Sequence, residues 1–297
     1  MKFKYLLIAF SIIIVIVILI AALLPLFLSG PQSAANLRYI TLPLLLFIAV
    51  LLVCISVFFL FNYRLFSLLE REDWPALAYY LEQKIFVKNR YSARYVRLLA
   101  SSYLVISDYP SVQKLESKVM LARPSLLDKN ILIFGPAKIL CGKQKEAVAF
   151  FGSRMEKRSV KEKQWVRWYY GFSNLLSGAF DLAEPEFAAL AVSSSDALIT
   201  GLSAYFLSSS IEKHSKKPEE CRGTAETGRS RIVKTLNTAE DWKKEADQLG
   251  TEIHIAIIRK YIDEAGKWLF DNSQAEVEGE AEKEEEKKEK EEGGAEE

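Results

Sequence analysis

The feature that most constrains this chain is a pair of long runs without a single charge. Tyr5 to Leu28 is 24 uncharged residues, and Tyr39 to Phe61 is 23. At about 1.5 Å per residue, either run makes a helix of roughly 35 Å, enough to cross a hydrocarbon core of about 30 Å with some tilt. Pro43 lies near the start of the second run, where a proline costs a helix least. The link 29–38 carries Gly30, Pro31 and Asn36, which is turn chemistry. The expectation is a two-helix transmembrane hairpin over residues 1–61, with spans at about 5–28 and 39–61. A cleaved signal peptide is the rival reading of the first run, because Lys2 and Lys4 precede it. Its apolar stretch is longer than the about 7–15 residues of a signal's apolar core, which favours an uncleaved span.

Lysine and arginine in the short flanks set the orientation. Lys2 and Lys4 precede the first run, Arg38 alone lies in the link, and Arg64 and Arg71 follow the second. This places both termini, and the body of the chain, on the cytoplasmic side of a bacterial inner membrane. The net charge of +1 is a sum of opposites. Residues 271–297 hold 13 acidic and 4 basic side chains, so the remainder of the chain is strongly basic. A Glu/Lys tract with almost no apolar residue cannot bury a core, so the tail 271–297 is expected to be disordered. Half of all residues are hydrophobic, which excludes a wholly disordered chain. Cys54 lies in the second run, and Cys141 and Cys221 stand 80 residues apart, a pattern of free thiols more than of a disulfide framework.

Residues 62–211 lack strand alternation, and their apolar positions recur at helical spacing. They also repeat. Ala76, Ser111, Ala147 and Ala183 are 35, 36 and 36 residues apart, and four residues after each comes Tyr80, Leu115, Phe151 or Phe187. Twelve residues before the last three small positions stand Leu99, Gly135 and Gly171. Asp73-Trp74-Pro75 returns as Asp108-Tyr109-Pro110, with Pro in the first turn of a helix behind a capping Asp. The segment from Trp168 to Gly178 with Ala183 and Phe187, and the set Gly135, Gly142, Ala147 and Phe151, resemble a tetratricopeptide repeat (TPR). The period of 35–36 differs from the family's 34, and Arg64 and Leu99 stand where a small residue is usual. The resemblance implies an all-α solenoid of stacked helix pairs, with the first helix of each pair lining a binding surface. The packing logic is that a small residue lets a neighbouring helix approach, and the aromatic fills the gap beside the next pair. Residues 212–231, which carry Lys213, His214, Lys216, Lys217, Pro218, Cys221, Arg222, Gly223 and Gly228, read as a basic loop. Residues 232–270 read as capping helices, with Trp242, Leu249, Ile253, Ile257, Tyr261, Ala265 and Leu269 as their apolar stripe.

No catalytic constellation is present in the sequence. There is no phosphate-binding glycine loop, no nucleophile elbow, and no His/Cys set large enough for a metal, since His214 and His254 are the only histidines. The expectation is a non-enzyme without cofactor or metal. Arg90, Arg94 and Arg97, at i, i+4 and i+7, form a basic helical face suited to carboxylate or phosphate, either in an acidic protein partner or at an anionic lipid surface. A second cluster, Arg154, Lys157, Arg158, Lys161, Lys163 and Arg167, is interleaved with Trp165 and Trp168; Glu156 and Glu162 dilute it and argue against nucleic acid. The function expected is that of a membrane-anchored scaffold for protein–protein interaction. A structural subunit of an envelope machine with a periplasmic domain and a regulatory accessory of a membrane enzyme are the alternatives. The acidic tail is expected to compete with an acidic partner for the basic face.

Overall fold

The computed structural model describes residues 34–250 and 252–270, together with Ile16. Apart from Ile16, the first expected span and the acidic tail lie outside these residues. The described chain is all-helical, with no strand among the described residues. It divides into two compact units, Met1–Arg90 and Tyr91–Glu297, so the boundary falls well after the expected division at residue 61.

In the first unit, α1 runs unbroken from Ala34 to Glu70, with Pro43 inside it. Residues 34–38 of the expected link are therefore helical; nothing after Pro31 in that stretch breaks a helix. From Leu46 to Glu70 the mean hydropathy reaches 2.6, and among the described residues this is the one helix long and apolar enough to cross a membrane. Its large side chains face outward: Leu60 and Phe61 are 76% and 79% exposed. Near its end the character changes, and Leu65 is buried. Asp73 caps α2 (Trp74–Glu82) by accepting a hydrogen bond from the Ala76 N–H at 3.1 Å, and Leu77, Ala78 and Leu81 are buried. The helix then relaxes into a π turn over Gln83–Val87.

The second unit is a run of helix pairs. They are α3 (Ala93–Val105) with α4 (Tyr109–Ala122), then, after the short α5 (Ser125–Lys129), α6 (Ile131–Leu140) with α7 (Gln144–Gly152). Next come α8 (Lys163–Leu176) with α9 (Phe180–Ser193), and α10 (Ala197–Phe206) with α11 (Pro218–Leu236). The second helix of each pair also packs on the first helix of the next, and α3, α6, α8 and α10 touch in succession. The turns repeat as closely as the helices do. Glu72, Ser107, Gly142 and Gly178, at φ of 53°, 58°, 70° and 77°, each place one left-handed residue at a pair's internal turn. Glycine takes that conformation freely, whereas Glu72 and Ser107 hold it against their own Cβ.

The expected basic loop 212–231 is corrected by the structure. After a π turn (Leu207–Ile211) and one 3-10 turn (Glu212–His214), residues 218–236 form the 19-residue helix α11. Pro218 opens it, Glu219 and Glu220 favour its positive N-terminal end, and Cys221, Ala225, Gly228 and Ile232 form a buried stripe at helical spacing. The stripe is small rather than greasy because the neighbours are close: a Cβ on Gly228 would stand 2.9 Å from the Ala204 Cβ and 3.2 Å from that of Ala191. The charges that suggested a loop tie the helix down. Arg231 donates to the backbone oxygens of Ala191 and Ser194 at 2.8 and 3.0 Å, meeting carbonyls left open at the end of α9.

The region 239–270 forms three helices, α12 (Ala239–Gln248), α13 (Ile253–Ile257) and α14 (Arg259–Leu269), broken near Gly250. They do not simply cap the last pair. α13 packs on α6 and α14 on α10, so this segment lies along the face made by the first helices of the pairs. Trp242 is wedged between two glycines: a Cβ on Gly201 or Gly266 would come within 2.6 or 2.7 Å of its ring. Its indole N–H donates to the Ile262 oxygen at 3.0 Å. Trp242, Ala265 and Leu269 of the expected stripe are buried, but between them the register shifts, with Ala246, Ile255, Ile258 and Ile262 buried and Leu249, Ile253, Ile257 and Tyr261 only half-buried.

Candidate partner-binding groove

Ser92 starts α3 by accepting a hydrogen bond from the Tyr95 N–H at 3.2 Å, so Arg94 and Arg97 project from its first two turns. Arg90 does not join them. It precedes the helix, in non-helical backbone just after Asn89 at φ 52°, and belongs to the first unit. The expected three-arginine helical face is therefore a two-arginine one. Beside it lies a cavity of about 500 Å³ lined by Arg94, Arg97, the α5–α6 junction at Asp128–Ile133, and the approach to α8 at Ser159, Lys161 and Glu162. Its cations are Arg94, Arg97, Lys129 and Lys161, and its carboxylates are Asp128 and Glu162.

The carboxylates are not equivalent. Asp128 is buried and already compensated, 3.3 Å from Arg154, 3.5 Å from Lys157 and accepting a hydrogen bond from Ser159 at 2.9 Å. Glu162 has its carboxyl pKa raised, by burial and by the charge of Glu252. Arg97 and Glu252 pair at 3.5 Å, but both are nearly half exposed, and such a pair is readily exchanged for another anion. The groove is thus net positive and presents guanidinium donors, a chemistry that fits carboxylate or phosphate.

His254 lies behind Arg97, nine-tenths buried. Its ring is 5.1 Å from that of Trp165, and its backbone oxygen accepts from the Tyr169 hydroxyl at 2.9 Å. Burial foremost, and the nearby Arg97 charge, lower its pKa to about 4, so it is neutral at ordinary pH. Among the described residues no group of three or more His, Cys, Asp and Glu side chains is placed to hold a metal ion.

The second basic cluster serves the fold. Arg154 and Lys157 hold Asp128, Arg167 pairs with Glu186, and the Trp165 indole donates to Asp196 at 3.1 Å. Trp168 is fully buried and stacks on Phe172 at 5.0 Å, which leaves it no face for a nucleic-acid base. The repeat positions meet in pairs. A Cβ on Gly135 would stand 2.0 Å from the Phe151 ring, and one on Gly171 3.4 Å from that of Phe187. Phe151 also stacks on Tyr169 of the next pair at 5.5 Å, and Phe187 on Phe206 at 5.6 Å. Leu115, Ala147 and Ala183 are fully buried, while Ala76, Tyr80 and Ser111 are half-buried. Lys129 carried no signal in the sequence, because no other cation stands between Arg123 and Lys138. Lys161 stood among residues that serve a different purpose.

Residues 111–271, from α4 through α14, match the model of a protein family described as "Uncharacterised Treponema protein", and the chain belongs to this family. A protein of Treponema pallidum (strain Nichols), described as an uncharacterized protein, is similar to it: 31% identical over 227 residues, covering 74% of this chain and 72% of that protein. No solved structure matches the chain.

Proposed function

We propose that this chain is a membrane-anchored, non-enzymatic scaffold whose TPR-like helix pairs hold an acidic segment of a protein partner at the inner membrane. The basic groove carries this reading: Arg94, Arg97, Lys129 and Lys161 surround a cavity large enough for an extended acidic peptide, and the partly exposed Glu252 is its most easily displaced counter-ion. The exposed apolar surface of Leu46–Phe61 supports anchoring, since side chains of that size gain about 1.5–3 kcal/mol each on leaving water. The recurring pair geometry and the glycine–aromatic contacts support the TPR-like reading. Lys and Arg following the apolar run favour a cytoplasmic body.

Binding of a fluorescent Glu-rich peptide to the full chain in mild detergent tests the groove. The charge reversals Arg94→Glu and Arg97→Glu should weaken binding at least tenfold with helical content unchanged. Equal binding by both variants defeats the groove as the site. Omitting residues 275–297 should tighten binding at low salt if the tail competes.

A further inference from the structure

A second, smaller concentration of positive charge lies in the first unit, at the end of the apolar helix. The uncharged run of α1 stops at Phe61, and Arg64 follows three residues later, about 4.5 Å further along the axis. The Arg64 guanidinium lies over the ring of Tyr80 at 5.4 Å, and the Lys84 ammonium lies over the same ring, also at 5.4 Å. These groups, with Tyr79, Gln83 and Lys88, line a cavity of about 110 Å³. Lys84 lies in the π-helical stretch, a backbone form frequent at functional sites, and Lys88 follows directly after it. Among the described residues, no carboxylate lies within ion-pair distance of Arg64, Lys84 or Lys88. An anion seated beside the Tyr80 ring would meet both cations at once. Phe61 and Tyr63, exposed and next to Arg64 in the chain, and the exposed Tyr79 of the cavity lining add aromatic rings of the kind found where a membrane meets water.

We propose that Arg64, Lys84 and Lys88, gathered around Tyr80, form a binding site for the phosphate of an anionic lipid headgroup. The site rests on the anchoring reading of α1, which sets these cations at the depth of the headgroups. It gives the anchor a preference for anionic lipid and fixes the rotation of α1 relative to α2. Arg64 reaches from the membrane helix, Lys84 and Lys88 from the helix that packs against it, and one phosphate bridges them.

The test uses the full chain in nanodiscs of equal phosphatidylglycerol and phosphatidylcholine, with the lipids retained on the released protein measured by native mass spectrometry. Phosphatidylglycerol should be enriched, and the enrichment should fall about tenfold in Arg64→Gln/Lys84→Gln. The double variant Lys243→Gln/Lys267→Gln, which removes the same charge elsewhere, should keep it. Unchanged enrichment in Arg64→Gln/Lys84→Gln, with normal insertion and helical content, overturns the site while leaving the anchor intact. Loss of enrichment in 10 mM inorganic phosphate assigns the site to free phosphate and overturns the lipid assignment. Failure of the chain to enter nanodiscs of either lipid overturns the anchor and the site with it.

Discussion

Single residues carry two separable tests. Gly135 leaves no room for a methyl group beneath Phe151. Gly135→Ala should lower the stability of the second unit by about 1–3 kcal/mol in denaturant titration, and adding Phe151→Leu should recover most of it. Gly171→Ala, whose methyl would meet the Glu186 Cβ at 3.3 Å and the Phe187 ring at 3.4 Å, should cost less. The glycine–aromatic spacing of 16 was readable in the sequence, but the difference in severity was not, since it depends on helix separation. His254 gives a pH test. Its pKa is depressed to about 4 in the folded state against about 6.5 when unfolded, so the unfolded chain binds more protons between those values. Its contribution is present above pH 6.5 and is lost as pH falls toward 4, by about 3 kcal/mol in all. Thermal melts should show that slope, and His254→Gln should flatten it. Cys221, its thiol pKa raised to about 11 by burial, and by Glu184 and Glu212 beside it, should resist alkylation in the folded chain and react only on unfolding.

At the scale of elements, the helical pairs were legible because aromatic and small residues recur at a fixed period, and sequence alone places the capping Asp73 and Asp108. The helix α11 was not legible. Its buried stripe is Cys221, Ala225, Gly228 and Ile232, of which one is a large apolar residue, and its arginines look solvated until the end of α9 is seen beneath them. Two glycines in it make opposite predictions. Gly223 has open space around it, so Gly223→Ala should stabilise the second unit by about 0.5–1 kcal/mol, as alanine does in an exposed helix interior. Gly228→Ala should destabilise it, because the methyl meets Ala204 and Ala191. A neutral result for both would argue for a loop. The groove was half legible for a similar reason: Arg94 and Arg97 share one helix, while Lys129 and Lys161 reach it only through the packing of three pairs.

For the whole molecule, the segment α12–α14 acts as part of the core. Tyr261 packs on Phe172 and Phe206 at 5.2 and 5.4 Å, and Leu269 reaches Gly201. Ending the chain after residue 250 should remove these contacts, expose Trp165 and Tyr169, and lower the melting temperature by more than about 10 °C, as the loss of several buried aromatic contacts implies. Ending it after residue 274 should leave the melting temperature within about 1 °C, since such a tract has almost no apolar side chain to bury. The placement of this segment also has a consequence in time. A ribosome delivers the helix pairs 93–206 before the residues that cover them, and the Tyr169 hydroxyl must wait 85 residues for the His254 oxygen it bonds. Until synthesis passes residue 269 the helix pairs would stand half-covered, and their exposed aromatic face would be a natural substrate for holding chaperones.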